Sequence, residues 1–367
     1  MRRYDHPLRW LTPAAGRAVR GRVRYTGPLA RAGRVTAAGL PRTARPAARG
    51  LTAGGRALVL HVGHDGWKSP VDVPMEQVGD HAWEAAVTTR DRAVLDCVVR
   101  DETATRCDNN QGADYRLWIG LDPVDAHVHA RTPGRDQLGF DSLLAAAWSG
   151  GMTQAVVSWG DNDFIDIVAE AVPWLTRLVW VRPGGPGPDD VRRRLTEGAA
   201  GLKLHPAYDN FPADTPGLDP YLKIAQEAGV PVTIHSAPGP ADPDLIAHLA
   251  ERFPTVQFVL YHTYLGPPEG RRRATQHAKR LPNLHLETSW CASTFTERLL
   301  DDLGPDRVLF GSDAATDGPT HFVRKPPNIE MRENYNQSLL RLAKRLKPAV
   351  TRKFLETNAR TLFNLNT

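Results

Sequence analysis

The hydrophobic pattern of this chain changes character near residue 120. From Leu121 onward, short apolar runs alternate with longer amphipathic stretches, which is the pattern of parallel strands joined by crossover helices. It predicts strands over 124–129, 153–159, 177–181, 201–205, 231–235, 257–262, 284–288 and 307–311. Eight such repeats is the number at which a parallel barrel closes. Acids suited to helix N-termini stand at Asp141 and Asp190, and the stretch 221–228 stops at Gly229, with Pro231 opening the next strand.

Before residue 120 the apolar runs are short, with no helical stretch between them. Strands are expected over 57–62, 82–87, 93–99 and 115–119, with turn residues at Gly63-His64-Asp65-Gly66-Trp67 and Asp108-Asn109-Asn110-Gln111-Gly112, so a small β-sandwich is expected over 57–120. Residues 1–56 are rich in Arg, Ala, Gly and Pro without a sustained period and read as a disordered arm. The expected architecture is thus α/β: an arm over 1–56, a β-sandwich over 57–120 and a (β/α)8 TIM barrel over 121–367.

Charge sharpens this division. The formal charge is +5 over 367 residues, yet residues 1–56 hold 13 Arg and a single acid, Asp5, for a balance of +12, leaving −7 on the rest. The body is acidic, so no nucleic-acid partner is expected, and no apolar run is long enough to span a bilayer. Arg2-Arg3 opens the chain, but Arg9, Arg17, Arg20, Arg22 and Arg24 interrupt every apolar run after it, so no secretory or twin-arginine signal is read. Cys97, Cys107 and Cys291 lack C-x-x-C spacing and fit a reducing cytoplasm.

Candidate chemistry collects at the ends of the predicted barrel strands. Successive side chains of a strand point to opposite faces, so His127 and His129 project together and can hold one cation. The fourth strand ends in Lys203 and His205, the fifth in His235, the sixth in His262, and Asp313 follows the eighth. Such positions are where barrel enzymes carry their chemistry, and so many polar groups would be costly in an apolar layer.

Two resemblances follow from these residues. Leu60-His61-Val62-Gly63-His64-Asp65-Gly66-Trp67, Trp83-Glu84, Val94-Leu95-Asp96, Asp108-Asn109-Asn110 and Asp114-Tyr115 resemble a starch-binding carbohydrate-binding module. The resemblance implies α-glucan binding, with His61 and Trp67 as candidates. Cys107 stands where such modules carry an aromatic, and the other reading is a sandwich kept for packing or for homodimer contacts. Asp125-Ala126-His127-Val128-His129, Gly201-Leu202-Lys203-Leu204-His205-Pro206, Val232-Thr233-Ile234-His235, Phe258-Val259-Leu260-Tyr261-His262, Leu309-Phe310-Gly311-Ser312-Asp313 and Asn358-Ala359-Arg360-Thr361-Leu362-Phe363 resemble the amidohydrolase superfamily, in its branch of lactonases, small hydrolases and non-oxidative decarboxylases.

That second resemblance implies one divalent metal, zinc first and manganese as the alternative, on His127, His129, His235 and Asp313. Asp313 would also move a proton between water and leaving group, and His262 would polarise the substrate. Lys203 and His205 are candidates for substrate contact or for supporting the ligands; a carbamylated Lys203 bridging two metals is the less favoured reading. Asp125 is expected behind the ligands. Glu287, Thr288, Ser289 and Trp290 would line the mouth, Trp290 with core packing as the other reading. The loops 131–139 and 316–328, with His321, Arg324 and Lys325, would select substrate, and Asn358 would anchor the last helix. The expected function is hydrolysis of an amide, ester or lactone of a small molecule by activated water. The alternatives are non-oxidative decarboxylation of an aromatic or unsaturated carboxylate and glucan binding with a non-catalytic barrel.

Overall fold

The computed structural model describes residues 6–11, 19–31, 57–90, 93–130, 140–314 and 335–365. The two loops expected to select substrate, with His321, Arg324 and Lys325, lie outside the described residues, as do 1–5, 12–18 and 32–56 of the expected arm. The chain divides into two compact units, one of His6–Leu121 with Trp148–Gly151 and one of Asp122–Ala147 with Met152–Thr367.

In the N-terminal unit the strands are β1 (Leu8–Trp10), β2 (Val19–Tyr25), β3 (Leu58–His64), β4 (Lys68–Pro74), β5 (Glu76–Gly79), β6 (Ala82–Thr89), β7 (Val94–Asp101), β8 (Cys107–Asp108) and β9 (Tyr115–Trp118). They form two antiparallel sheets, β1-β2-β6-β5 and β4-β3-β7-β8, with β9 paired to β7. Leu58, Leu60 and Val62 alternate into an apolar cluster that also takes Val23, Tyr25, Ala85 and Val87 from the other sheet.

The expectation of a disordered arm is corrected over the described residues 6–11 and 19–31. In β2 the period is two: Val23 and Tyr25 are fully buried while Arg22 and Arg24 face outward and grip Glu84, at 3.0 and 2.6 Å. Arginine at alternate positions is compatible with a half-buried strand, because one face alone meets the core. Gly21 lies beneath the Trp10 ring, where a Cβ would stand 2.1 Å from a ring carbon. Three further strands went unread, β4, β5 and β8, each at a sheet edge. Pro70 and Pro74 in β4 break a strand pattern, yet an edge tolerates the missing donors.

In the second unit the parallel strands are β10 (Val124–His129), β11 (Gln154–Ser158), β12 (Leu175–Arg177), β13 (Val179–Trp180), β14 (Leu202–Leu204), β15 (Val232–His235), β16 (Phe258–Tyr261), β17 (Leu284–Glu287) and β18 (Val308–Leu309). They run in sequence order, β10-β11-β12 in one sheet and β13 to β18 in another. The third expected strand is split at Leu178, whose N–H nevertheless donates to Val157 O at 2.9 Å. The segment after β18 returns to β10, with Ala126 N on Phe310 O at 2.9 Å and Asp313 N on His127 O at 2.8 Å. This is an α/β fold of parallel strands, compatible with a TIM barrel. Strands buried on both faces need continuous apolar runs, and β16 is buried at all four positions.

Helices separate the strands. The helix Asp219–Ala228 ends as its sequence predicts, at Gly229 with φ of 65°. The amide of Asn358 donates to Pro305 O at 2.6 Å and Val308 O at 2.8 Å, anchoring the last helical segment to the start of β18.

Candidate metal centre

The residues that end the strands meet. His127 and His129 lie on β10, which carries a register shift against β11 between Asp125 and Val128. Their Nε2 atoms are 3.1 Å apart, and Oδ1 of Asp313 is 3.2 Å from His129 Nε2 and 3.5 Å from His127 Nε2. Among the described residues, His127, His129 and Asp313 form one group whose ligand atoms all lie within 4.8 Å of one another, and His127, His262 and Glu287 form a second.

The outer nitrogens fix the tautomers. Nδ1 of His129 is 2.8 Å from Ser158 O, which can only accept, so that nitrogen carries the proton. Nδ1 of His127 is 3.1 Å from Glu287 Oε2 and faces its carboxyl group in the same way. Burial holds the His127 imidazole neutral, well below its usual pKa. Rings that carry a proton on Nδ1 turn their Nε2 atoms toward each other and toward Asp313 Oδ1. Such converging acceptors repel unless a cation lies among them, so the donor set fits a divalent metal.

His235, the last residue of β15, is in neither group. Its Nδ1 is 3.1 Å from His262 Nε2, and its ring stacks on His205 at 3.9 Å. Burial lowers the pKa of His262 to about 4. His205 Nδ1 accepts from Tyr208 N at 3.1 Å, capping the short helix Pro206–Asp209, while the same ring lines the cavity. Lys203 is fully buried, its Nζ lies 3.9 Å from the Tyr261 ring centroid without a hydrogen-bond partner, and burial lowers its pKa to about 7. Asp125 is buried, with Oδ1 accepting from His127 N at 3.1 Å and Ser312 N at 2.9 Å.

Glu287 was expected at the mouth, and it sits instead fully buried against His127, His262 and Ser289. Its Oε2 accepts from Ser289 Oγ at 2.7 Å and His262 N at 3.0 Å in addition to facing His127, and its Oε1 accepts from Ser289 N. Burial pushes its pKa up to about 8. Ser289 Oγ also meets His262 Nδ1 at 2.8 Å, and Trp290 Nε1 donates to Asp313 Oδ2 at 2.6 Å. His262, Thr263, Trp290 and Asp313 all have left-handed backbones, φ of 67°, 55°, 61° and 56°. Side chains with Cβ rarely adopt that region, and such strain gathers at functional sites.

A cavity of about 610 Å³ opens over these groups, its lining including His129, His205, His235, His262 and Asp313. Trp159, Trp180 and Tyr208 make one wall, with centroids 6.1 to 6.5 Å apart, and Arg182 stands half-exposed at its edge, 3.8 Å from Asp209. None of these wall residues was singled out from the sequence, although each stands at or just after a strand's C-terminal end.

Comparison with known proteins places this geometry. A family model described as amidohydrolase matches residues 124–365, and the chain belongs to that family. It is an enzyme of the amidohydrolase superfamily, whose members bind a divalent metal. No curated protein matches the sequence. Among solved structures it is similar to a Pseudomonas putida protein to which 2-pyrone-4,6-dicarboxylic acid hydrolase activity is attributed, at 17% identity and TM-score 0.53, over 67% of this chain and 99% of that one. It is also similar to an uncharacterized TIM-barrel protein of Bordetella bronchiseptica, at 19% identity and TM-score 0.50, over 66% and 99%. A third is the 5-carboxyvanillate decarboxylase of Novosphingobium aromaticivorans complexed with manganese, at 16% identity and TM-score 0.45, over 67% and 97%.

Proposed function

We propose that this protein is a metal-dependent hydrolase acting on the carbonyl of an amide, ester or lactone, and that its parallel strands close as a (β/α)8 barrel over 121–367. The observation that carries the reading is the convergence of the Nε2 atoms of His127 and His129, 3.1 Å apart, with Asp313 Oδ1. His127, His129 and Asp313 are the proposed ligands, and His235, which lines the same cavity, completes the set. Zinc suits three imidazoles and a carboxylate, with manganese the alternative. When bound there, a divalent ion supplies Lewis acidity and a water of lowered pKa.

The chain's own groups do the rest. Asp313 takes a proton from the attacking water and returns it to the leaving group. His262 stabilises negative charge developing on the substrate oxygen, a role worth about 3 kcal/mol in comparable sites. Lys203 and His205 support the ligands and the cavity wall. A second reading, decarboxylation of an aromatic or unsaturated carboxylate, draws support from the aromatic wall of Trp159, Trp180 and Tyr208 with Arg182 at its edge.

For the N-terminal unit, two antiparallel sheets over one apolar cluster suit a sandwich. His61 stacked on Trp67, with centroids 5.4 Å apart and rings 23° from parallel, would offer a face to a glucan ring. The Trp67 indole N–H is already spent on Asp114. Cys97 and Cys291 are buried as free thiols, in keeping with a cytoplasmic setting.

Elemental analysis of native protein beside His235→Ala tests the metal site: one equivalent of zinc or manganese is expected, lost in the variant. Native protein without metal would remove the reading. A panel of lactones and aromatic carboxylates then separates the reactions, because carbon dioxide release without a hydrolysis product would retire the hydrolase.

A further inference from the structure

We propose that Trp290 is a positioning residue that holds Asp313 as a one-oxygen donor to the metal. The inference rests on the metal-site reading above. The two carboxylate oxygens of Asp313 have different surroundings. Oδ1 points at the His127 and His129 nitrogens, at 3.5 and 3.2 Å, while Oδ2 takes the Trp290 indole N–H at 2.6 Å.

The Asp313 backbone is pinned to β10 through its N–H on His127 O, but that does not orient the carboxylate plane. Rotation about the terminal torsion of an aspartate is soft and nearly two-fold, so something must choose which oxygen faces the imidazoles. An indole N–H donates and cannot accept, so it marks one oxygen without any alternative protonation pattern. A carboxylate fixed in this way presents one lone-pair direction to the ion and is spared the entropy of being ordered when the ion arrives.

A residue kept only for packing would not need Trp290's backbone. Trp290 is 7% exposed and has φ of 61°, a conformation that costs a bulky residue on the order of 1–3 kcal/mol. The left-handed turn follows directly on Glu287 and Ser289, which touch His127 and His262. The end of β17 thus supplies none of the proposed ligands yet contacts ligand-bearing segments through three side chains.

The test measures metal binding rather than turnover. Metal-free wild-type protein, Trp290→Phe and His127→Ala are titrated with cobalt(II), reading affinity by chelator competition and coordination by visible absorption. Trp290→Phe removes the N–H together with part of the bicyclic ring; it is expected to bind cobalt about tenfold to a hundredfold more weakly, with an altered absorption band. If that variant fails to fold, benzothienylalanine at position 290 replaces the indole N–H by sulfur in a ring of the same shape. Cobalt affinity and spectrum unchanged in either replacement, with binding lost in His127→Ala, would overturn the role of Trp290 alone. Binding unchanged in His127→Ala as well would overturn the metal site and this inference with it.

Discussion

Glu287→Gln is the substitution that probes the buried hub most directly. The side chain keeps its shape, so any effect comes from one oxygen becoming an NH2 group. Placed at Oε1, that group opposes Ser289 N–H; placed at Oε2, it opposes His262 N–H and Ser289 Oγ–H and faces His127. The first arrangement loses less, leaving one buried backbone donor unpaired at a cost of about 1–3 kcal/mol. The parent carries a pH dependence that the variant lacks. Burial raises the folded-state pKa of Glu287 from 4.5 to about 8, so its contribution is fully present below pH 4.5 and is lost as pH rises through 8. Each unit of that shift is roughly 1.4 kcal/mol. Urea unfolding of chelator-treated protein should therefore find the variant less stable by about 1–3 kcal/mol near pH 5. The gap should narrow or reverse by pH 9. Equal stability at pH 5, or a gap that stays constant to pH 9, would refute the placement of Glu287 as a buried acceptor of these hydrogen bonds.

Other outcomes follow from single contacts. Arg116 is 2% exposed and meets Asp96 at 2.7 Å, and Asp96 also accepts from the amides of Gly66 and Trp67. Arg116→Met leaves that carboxylate buried without its partner and should cost about 3–5 kcal/mol, read by urea unfolding of the N-terminal unit followed through tryptophan emission. If Arg182 holds an anionic group of the substrate, Arg182→Gln should raise KM about tenfold or more for anionic substrates and leave kcat unchanged, since a bond to a charged group is worth about 1.5–3 kcal/mol. Steady-state kinetics on an anionic substrate and its neutral amide would check this, and equal loss on both would reject it.

The parallel strands were legible because strands buried on both faces are written as continuous apolar runs, and their ends were legible because His127, His129, His205, His235, His262 and Asp313 punctuate those runs. Strand β2 was not, since three arginines in seven residues resemble a solvated arm until Glu84, sixty residues on, is brought beside Arg22 and Arg24. Strand β4 was hidden by its prolines, whose tolerance depends on edge position, a property of the sheet and not of the segment. At the site, composition names donors but not their order. Glu287 and Trp290 read as mouth or core residues because their partners, His127 and Asp313, are distant in sequence, and the stack of His235 on His205 leaves no periodic trace.

The left-handed residues at the ends of β16 and β17 and after β18 bear on any attempt to transplant this chemistry. Copying the imidazoles and the carboxylate onto another scaffold would carry the ligands but not the backbone that aims His262, Trp290 and Asp313. An ordinary loop would relax toward negative φ and swing those side chains away, so the portable unit is the set of turns with their first residues. A designer who replaced the three by glycine would ease the turns and forfeit the groups themselves, which is why the tension has to be built in and supported from below.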